Sequence, residues 1–223
     1  MAILKKFIRR YTSIAAAIDV LRRKEIVLLD PQNWDDRNDR YFMNLYKEQR
    51  KIKGFYGLCA SRASETYHHW RVFTGPADGA CIEFKRGPLE KMLGSKSGVR
   101  FGNVEYMMYR DLEELTGKDF DRLPFVKRHG FRDEAEYRII SETSDEQRTA
   151  YPIPIKLSWI NSITINPWLP DTIAESVIDA LKQHPGCDNL RVQKSRLIDS
   201  SRWKRGGDNV VSRVSAKGLK SKL

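Results

Sequence analysis

The chain has 223 residues, of which 40% are hydrophobic and 31% charged, and its formal net charge is +11. This length and composition predict one domain with a sizeable core and exclude wholesale disorder. No apolar run approaches the roughly 18 residues of a membrane span, and the N-terminal residues lack the pattern of a secretory signal, so we expect a cytoplasmic protein. Cys59, Cys81 and Cys187 are widely spaced, which favours buried thiols over a zinc site or a disulfide framework.

Strands and helices alternate in the first half of the chain. The hydrophobic spacing predicts strands at residues 7–11, 26–29, 55–60 and 80–84. It predicts helices beginning after a cap at Thr12 or Ser13, over residues 41–51, and over residues 64–72 with Ser64 as the N-cap.

The second half is richer in strands. Strands are predicted at residues 99–109, 137–140, 153–157 and 163–165. Helices are predicted near Pro88, over residues 120–129, and from a cap at Asp171. The pattern predicts a single α+β domain over residues 1–201, with a mixed, mainly antiparallel sheet flanked by helices, followed by a disordered tail.

The tail, residues 202–223, is strongly basic. It carries seven Lys or Arg side chains against Asp208 alone, which is +6 of the net +11. A basic mobile tail is suited to nucleic acid or ribonucleoprotein through phosphate neutralisation, but such tails also serve only solubility, and the sequence favours neither interpretation. The candidate nucleic-acid-binding residues are Arg202, Lys204, Arg205, Arg213 and Lys217.

One acidic segment, residues 131–140, is the most suggestive of chemistry. Glu134, Glu136 and Arg138 alternate along a predicted strand, so all three point to one face while Tyr137 and Ile139 point to the other. Two carboxylates and a guanidinium on one face can stabilise a developing cation, or they can form an ion ladder on a solvated sheet. On spacing alone the ladder is favoured.

Two further clusters have a metal-site interpretation. Asp30, Asp35, Asp36 and Asp39 are dense enough for Mg²⁺ or Ca²⁺, but the order of an EF-hand loop is absent, and a loop of Asx turns is favoured.

The E-x-K pattern of Glu83 and Lys85 resembles half of a nuclease site, which would need another carboxylate beside it. His68 and His69 are adjacent, so on a helix they diverge by about 100° and cannot share a metal.

Several short segments in a fixed order resemble the bacterial domain-of-unknown-function family numbered 2971, over roughly residues 7–200. These segments are RYTS at residues 10–13, residues 31–36, LCAS at residues 58–61, Trp70, GACIEF at residues 79–84 and EAEYRII at residues 134–140. Asp36 keeps the carboxylate of the family's acidic loop, whereas Arg37 replaces its proline. This family implies no settled activity.

The order of these segments is also similar to the three-motif layout of ADP-ribosyltransferases. That resemblance implies NAD as a cosubstrate, with Arg10 or Tyr11 contacting it, Ser61 or Trp70 shaping the nicotinamide pocket, and Glu136 stabilising an oxocarbenium-like transition state. Glu134 would orient the acceptor. The candidate catalytic residues are thus Glu136 and Glu134, and the candidate substrate-binding residues are Arg10, Tyr11, Asp36, Ser61, Trp70 and Arg138.

These observations predict an NAD-using ADP-ribosyltransferase-like domain of a bacterial cytoplasmic protein, as in a toxin or a phage-defence effector. The alternatives are a noncatalytic nucleic-acid or protein-binding module and, third, a metal-dependent nuclease. The enzyme requires Tyr11, Trp70 and Glu136 to converge on one cleft, whereas the binding module requires only a continuous basic face.

Overall fold

A computed structural model describes residues 2–218, and the side chains of residues 2–213, as an α+β arrangement. The strands are β1 (Phe7–Ser13), β2 (Glu25–Leu29), β3 (Gly54–Ser61), β4 (Gly79–Lys85), β5 (Val99–Asn103), β6 (Glu105–Met107), β7 (Val126–Arg128), β8 (Glu136–Thr143), β9 (Ala150–Pro154), β10 (Ile160–Ile165) and β11 (Arg191–Lys194). The α-helices are α1 (Ile14–Arg23), α2 (Arg37–Arg50), α3 (Tyr67–Phe73), α4 (Arg86–Leu93), α5 (Tyr109–Glu113), α6 (Asp171–Lys182) and α7 (Ser201–Gly218). Short 3₁₀ helices occupy Pro31–Asn33, Gly117–Phe125, His129–Glu134 and Leu157–Trp159.

The main sheet has the strand order β11-β10-β4-β1-β3-β2-β9. In addition, β8 pairs with β3, and β5 pairs with β8. Its pairs are antiparallel except β10 with β11, and β6 and β7 form a separate parallel pair. The predicted mixed, mainly antiparallel sheet flanked by helices is therefore confirmed.

Strand β3 creates an opening in the sheet because two strands share one of its edges. β1 pairs with it only at Arg9 opposite Ser61, and β2 pairs with it only at Leu29 opposite Gly57. Its other edge pairs with β8 along its whole length. The stretch of β3 between the two contacts consequently borders a cavity instead of another strand.

Period-two alternation sorts the side chains of β3 and β8 between two faces. Leu58, Ala60, Tyr137 and Ile139 enter the large hydrophobic core. The opposite face carries a smaller cluster around Ile140 at one end and the cavity at the other. The prediction that Tyr137 and Ile139 point away from Glu136 is thus confirmed.

The helix caps agree with the predictions in part. Ser13 caps α1, since its hydroxyl accepts a hydrogen bond from the backbone N–H of Ala16 at 3.1 Å. The predicted cap at Ser64 is wrong, because Thr66 accepts from the N–H of His69 and α3 begins only at Tyr67. Asp171 is the first residue of α6 and Pro170 is its N-cap, so that prediction is wrong as well.

Other expectations fail where short elements depend on distant partners. The predicted helix at residues 120–129 is wrong: a 3₁₀ helix ends at Phe125 and β7 follows, because β7 pairs with the distant β6. The predicted strand at residues 99–109 divides into β5 and β6. Strand β11 has no counterpart among the predicted elements.

The tail is helical as far as the structure describes it. Helix α7 places Arg202, Lys204, Arg205 and Arg213 on its exposed surface. Lys217 lies beyond the side chains that the structure describes, and residues 219–223 lie outside the described residues. Within residues 2–218, no helix combines the length and the apolar character that crossing a membrane requires.

Candidate active site

The opening beside β3 leads into a cavity of about 380 Å³, here called the cleft. Arg10, on β1, bridges the opening by donating a hydrogen bond from Nη1 to the carbonyl oxygen of Cys59 at 2.7 Å. That carbonyl lies on the part of β3 that has no strand beside it, so the guanidinium replaces a missing ladder partner. The cleft volume falls within the range of roughly 300–1,000 Å³ that is usual for small-molecule sites.

Five buried charged groups form the floor of the cleft and the layer beneath it. Glu136 accepts from Arg138 on both oxygens, at 2.7 and 2.9 Å. Lys127 Nζ lies 2.7 Å from Glu134, 3.3 Å from Glu136 and 3.5 Å from Asp39. Arg138 also donates to Asp39 at 2.9 Å and to the carbonyl of Pro124 at 2.8 Å. Each carboxylate of this charged cluster therefore has a cationic partner.

A strained backbone position brings the two glutamates together. Glu134 ends a 3₁₀ helix and Glu136 begins β8, while Ala135 between them adopts φ 44° and ψ 48°, a left-handed conformation that costs a non-glycine residue about 1 kcal/mol or more. The backbone N–H of Arg62 holds the carbonyl of Ala135 at 2.9 Å. The glutamates thus share Lys127, but not because they alternate along one strand as predicted, since Glu134 lies in the 3₁₀ helix and only Glu136 lies in β8.

Ser61 and His69 fix this turn because both side chains contact the backbone carbonyl of Glu134. The Ser61 hydroxyl donates to the carbonyl of Glu134 at 2.6 Å, and His69 Nε2 lies 3.1 Å from the same oxygen. Because a carbonyl only accepts, Nε2 carries the proton there, while Nδ1 accepts from Thr66 Oγ1. Burial lowers the pKa of His69 and keeps the ring neutral. Ser61 Oγ also lies 2.9 Å from His69 Nε2, but its hydroxyl proton is donated to the carbonyl of Glu134, so Ser61 positions Glu134.

The two glutamates have opposite pKa shifts. Burial raises the pKa of Glu136, but the charges of Arg138 and Lys127 outweigh it and lower the pKa to about 2. For Glu134 burial dominates, and its pKa is raised above the ordinary value despite Lys127. Pairs of carboxyl groups with separated pKa values are the usual arrangement when one group must stay ionised and the other must exchange a proton.

Aromatic side chains line the cleft beside these charges. The ring of Trp34 lies 4.9 Å from the Arg138 guanidinium, and the ring of Phe131 lies 4.8 Å from Lys127 Nζ. Phe73, from α3, is partly exposed at the same cavity. These rings hold the cations in place and offer flat apolar surface to a ligand.

Three buried polar atoms of cleft residues have no hydrogen-bond partner among the described residues. They are Nη1 of Arg9, whose Nε donates to Glu83 at 2.8 Å, the hydroxyl oxygen of Tyr11, and Oδ2 of Asp36, whose Oδ1 caps α2. An unpaired buried polar atom costs about 1–3 kcal/mol. A surplus donor, a surplus acceptor and a hydroxyl that can do either therefore suit a ligand that carries both an anionic group and a hydroxyl or amide.

Most of the predicted site residues meet in the cleft. The lining includes Arg10, Tyr11, Asp36, Ser61, Glu134 and Glu136. Trp70 does not line it: this side chain is buried against Tyr11 and Cys81 and borders a neighbouring cavity, so its predicted pocket role is wrong. Arg138 is fully buried beneath Glu136, which excludes the predicted direct contact with substrate and leaves it a positioning role.

The sequence interpretation missed several residues of the cleft. The sequence pattern predicts a helix at Lys127 and a solvated loop at Asp39, whereas both residues line the cleft and Asp39 is 3% exposed. The preference for Asx turns is confirmed for Asp30 and Asp36, which accept from the N–H groups of Gln32 and Asn38 at 2.9 Å. Asp39 is the third residue after the N-cap Asp36, a position that predicts a capping box, but its carboxylate accepts from Arg138, so the local sequence contains no signal for its place in the cleft.

The residues proposed for a nuclease are engaged elsewhere. Glu83 accepts from Arg9 and, at 2.7 Å, from Asn161, and Lys85 donates to the carbonyl of Ser158 at 3.0 Å. Across the described part of the chain, no three His, Cys, Asp or Glu side chains are grouped so that they could hold a metal ion. No observation therefore favours the nuclease.

Comparison of the sequence with protein-family models and with curated proteins finds no match. Among solved structures, the chain is similar to Thermus sp. 2.9 DarT in complex with NAD⁺, with 13% identity and a TM-score of 0.45 over 86% of this chain and 96% of that one. Thermus sp. 2.9 DarT in complex with ADP-ribosylated ssDNA gives 13% identity and a TM-score of 0.44 over 86% and 94%. At this distance the likeness assigns neither an activity nor equivalent residues to the chain.

Proposed function

We propose that the cleft binds NAD and that the protein transfers ADP-ribose from it to an acceptor. The observation that carries the proposal is the pair of buried glutamates with opposite pKa shifts at one end of a ligand-sized cavity. An oxocarbenium-like transition state needs a fixed anion beside the carbon that becomes positive, and transfer needs a base for the acceptor.

The cleft offers complementary groups for each part of this substrate. NAD combines an anionic diphosphate, ribose hydroxyls and a cationic aromatic ring. The unpaired Nη1 of Arg9 suits a phosphate oxygen, and the unpaired Oδ2 of Asp36 suits a hydroxyl or an amide N–H. Trp34 and Phe131 provide ring surfaces beside the glutamates.

The reaction divides between the two carboxyl groups. The bond between the nicotinamide nitrogen and ribose C1′ breaks, and its electron pair leaves with neutral nicotinamide. Glu136, ionised at neutral pH, stabilises the positive charge at C1′. The nucleophile of the acceptor forms the new bond to C1′, and its proton passes to Glu134, whose pKa burial raises, so that it is a better proton acceptor than Glu136.

We propose nucleic acid as the acceptor. The basic side chains of α7 are exposed and supply a sequence-independent attraction for phosphates. A noncatalytic nucleic-acid-binding module would bind phosphates through the same helix. Unlike the enzyme, it would not require the cleft to bind a ligand.

The test is NAD binding by calorimetry together with nicotinamide release by chromatography. Glu136→Gln keeps the shape and removes the charge, so nicotinamide release should fall about 100–1,000-fold while the Kd for NAD changes only a few-fold. Glu175→Gln, an exposed substitution on α6, is the matched control and should behave as wild type.

A second variant tests binding with little risk to the fold. Asp36→Asn keeps the oxygen that caps α2 but offers an amide N–H₂ in place of the other, so the Kd for NAD should rise about 10-fold. If wild type does not bind NAD at millimolar concentration, the proposed ADP-ribosyl transfer is refuted and the noncatalytic nucleic-acid-binding module is the remaining interpretation.

A further inference from the structure

A second cavity, of about 130 Å³, is lined by side chains of the neighbouring strands β1, β4, β10 and β11. Its floor consists of two rows that the strand register aligns: Arg9, Glu83, Ser162 and Arg191 in one, and Tyr11, Cys81, Thr164 and Gln193 in the other. Glu65 and Trp70 complete the lining. Because paired residues in register point to the same face of a sheet, the four strands fix the positions of these eight side chains.

Several polar groups of the second cavity have no partner in the described part of the chain. Nη1 of Arg9 and the hydroxyl of Tyr11 are buried without a hydrogen bond, and the Tyr11 side chain is only 5% exposed. The hydroxyls of Ser162 and Thr164 make no hydrogen bond to the described residues either. Burial raises the pKa of Tyr11, so its phenol keeps the proton that it can donate. The second cavity therefore has surplus hydrogen-bond donors.

The two carboxylates of the second cavity, in contrast, are already engaged. Glu83 accepts from Arg9 at 2.8 Å and from Asn161 at 2.7 Å. Glu65 accepts from Trp70 Nε1 at 2.8 Å and from the hydroxyl of Ser195. The charges of Arg9 and Arg191 balance those of the two glutamates. The surplus donors thus require acceptor oxygens that come from outside the chain.

The volume of the second cavity limits the size of such a ligand. A water molecule takes about 30 Å³ in the liquid, so about 130 Å³ corresponds to roughly four water molecules. A tetrahedral oxyanion such as phosphate has about this bulk, since it carries four oxygens around one atom. Arginine and hydroxyl groups are the donors that phosphate oxygens prefer.

We propose that the second cavity binds a small tetrahedral oxyanion, such as inorganic phosphate, and that its binding weakens the binding of NAD in the cleft. The oxyanion accepts from Nη1 of Arg9, from Tyr11 and from the two free hydroxyls of the floor. Arg9 and Tyr11 also line the cleft. The donor that pairs with the oxyanion is no longer available to the diphosphate of NAD, so each ligand lowers the affinity for the other. This coupling rests on the proposed function, whereas the oxyanion site does not.

The first experiment titrates the protein with sodium phosphate by calorimetry at constant ionic strength, without NAD. The cavity variant is Thr164→Val with Ser162→Ala, two residues that line the second cavity and not the cleft. The control is Thr172→Val with Ser176→Ala, an exposed pair on α6 that loses the same two hydroxyls. Wild type and the control should bind one phosphate per chain, and the cavity variant should bind it about 10-fold more weakly or worse.

The second experiment measures the Kd for NAD with and without saturating phosphate. Phosphate should raise this Kd about 5-fold or more in wild type and in the control. In the cavity variant the Kd without phosphate should equal that of wild type, and phosphate should no longer change it.

Three results would overturn the proposal. One is that wild type binds no phosphate, or that the cavity variant binds it as tightly as wild type. Another is an unchanged Kd for NAD in saturating phosphate. The third is an equal increase of this Kd in the cavity variant, which would place phosphate in the cleft. Because the first experiment contains no NAD, a protein that binds phosphate but not NAD would refute the proposed transfer and the coupling and leave the oxyanion site intact.

Discussion

Removing the charge of Glu136 should destabilise the protein in a pH-dependent way. Both oxygens of this carboxylate are engaged by Arg138, and Lys127 lies 3.3 Å away. Glu136→Gln leaves those buried cations with one carboxylate fewer. Asp39 still binds Arg138, and Glu134 still binds Lys127, so the fold should survive with reduced stability.

The size of the effect follows from the pKa of Glu136. It is lowered from the ordinary 4.5 to about 2 in the folded protein. At about 1.4 kcal/mol per pKa unit this contributes about 3 kcal/mol at neutral pH, within the usual range for breaking a buried ion pair. Since the folded-state pKa is depressed, the contribution is fully present above about pH 4.5 and is lost as the pH falls towards 2.

Urea unfolding followed by circular dichroism measures this difference. Glu136→Gln should be about 3 kcal/mol less stable than wild type at pH 7, equivalent to a Tm roughly 6–12 °C lower. The gap should close as the pH approaches 2, because protonated Glu136 and glutamine are both neutral. Glu175→Gln supplies the control. A gap that is absent at pH 7, or that stays constant down to pH 2, would refute the assigned charge state of Glu136.

Two further predictions concern the cations. Lys127→Met removes the ammonium whose charge partly offsets the increase in the pKa of Glu134 caused by burial, so this pKa should rise further. The acidic limb of the pH profile of kcat/KM for transfer should therefore move to higher pH. Lys127→Arg should restore the limb, and an unmoved limb in Lys127→Met would exclude Glu134 as the base. Replacing three basic residues of α7 with alanine should reduce the salt slope of oligonucleotide binding by about 2, and an unchanged slope would leave the tail only a solubilising role. These residues are Arg202, Lys204 and Arg205.

The parts of the site that local periodicity determines could be predicted from the sequence. Alternation along β8 puts Glu136 and Tyr137 on opposite faces of the strand. In the structure Glu136 accordingly lines the cleft, and Tyr137 lies in the hydrophobic core. Short-range turn chemistry likewise predicts the Asx contacts of Asp30 and Asp36.

Residues whose role depends on a distant partner could not be predicted in this way. Lys127 enters the cleft because three residues of β7 pair in parallel with β6, and no local pattern encodes a pairing so short. Trp70 and Phe73 lie on one helix, and spacing alone does not show that Phe73 reaches the cleft while Trp70 is buried against Tyr11 and Cys81. Helix rotation is fixed by packing, which the sequence of the helix does not contain.

The charged cluster is difficult to explain by stability alone. Arg138 is completely buried, and a buried ion pair seldom stabilises a fold more than apolar side chains of similar volume would. The carboxylates of Asp39, Glu134 and Glu136 are paired directly with Lys127 and Arg138, while Arg10, a further cation of the cleft, donates to the carbonyl of Cys59. Buried charges fixed in this way are preorganised for a reaction in which charge develops. The proposed transferase would use them, whereas a structural ladder would leave its charges in solvent at the surface.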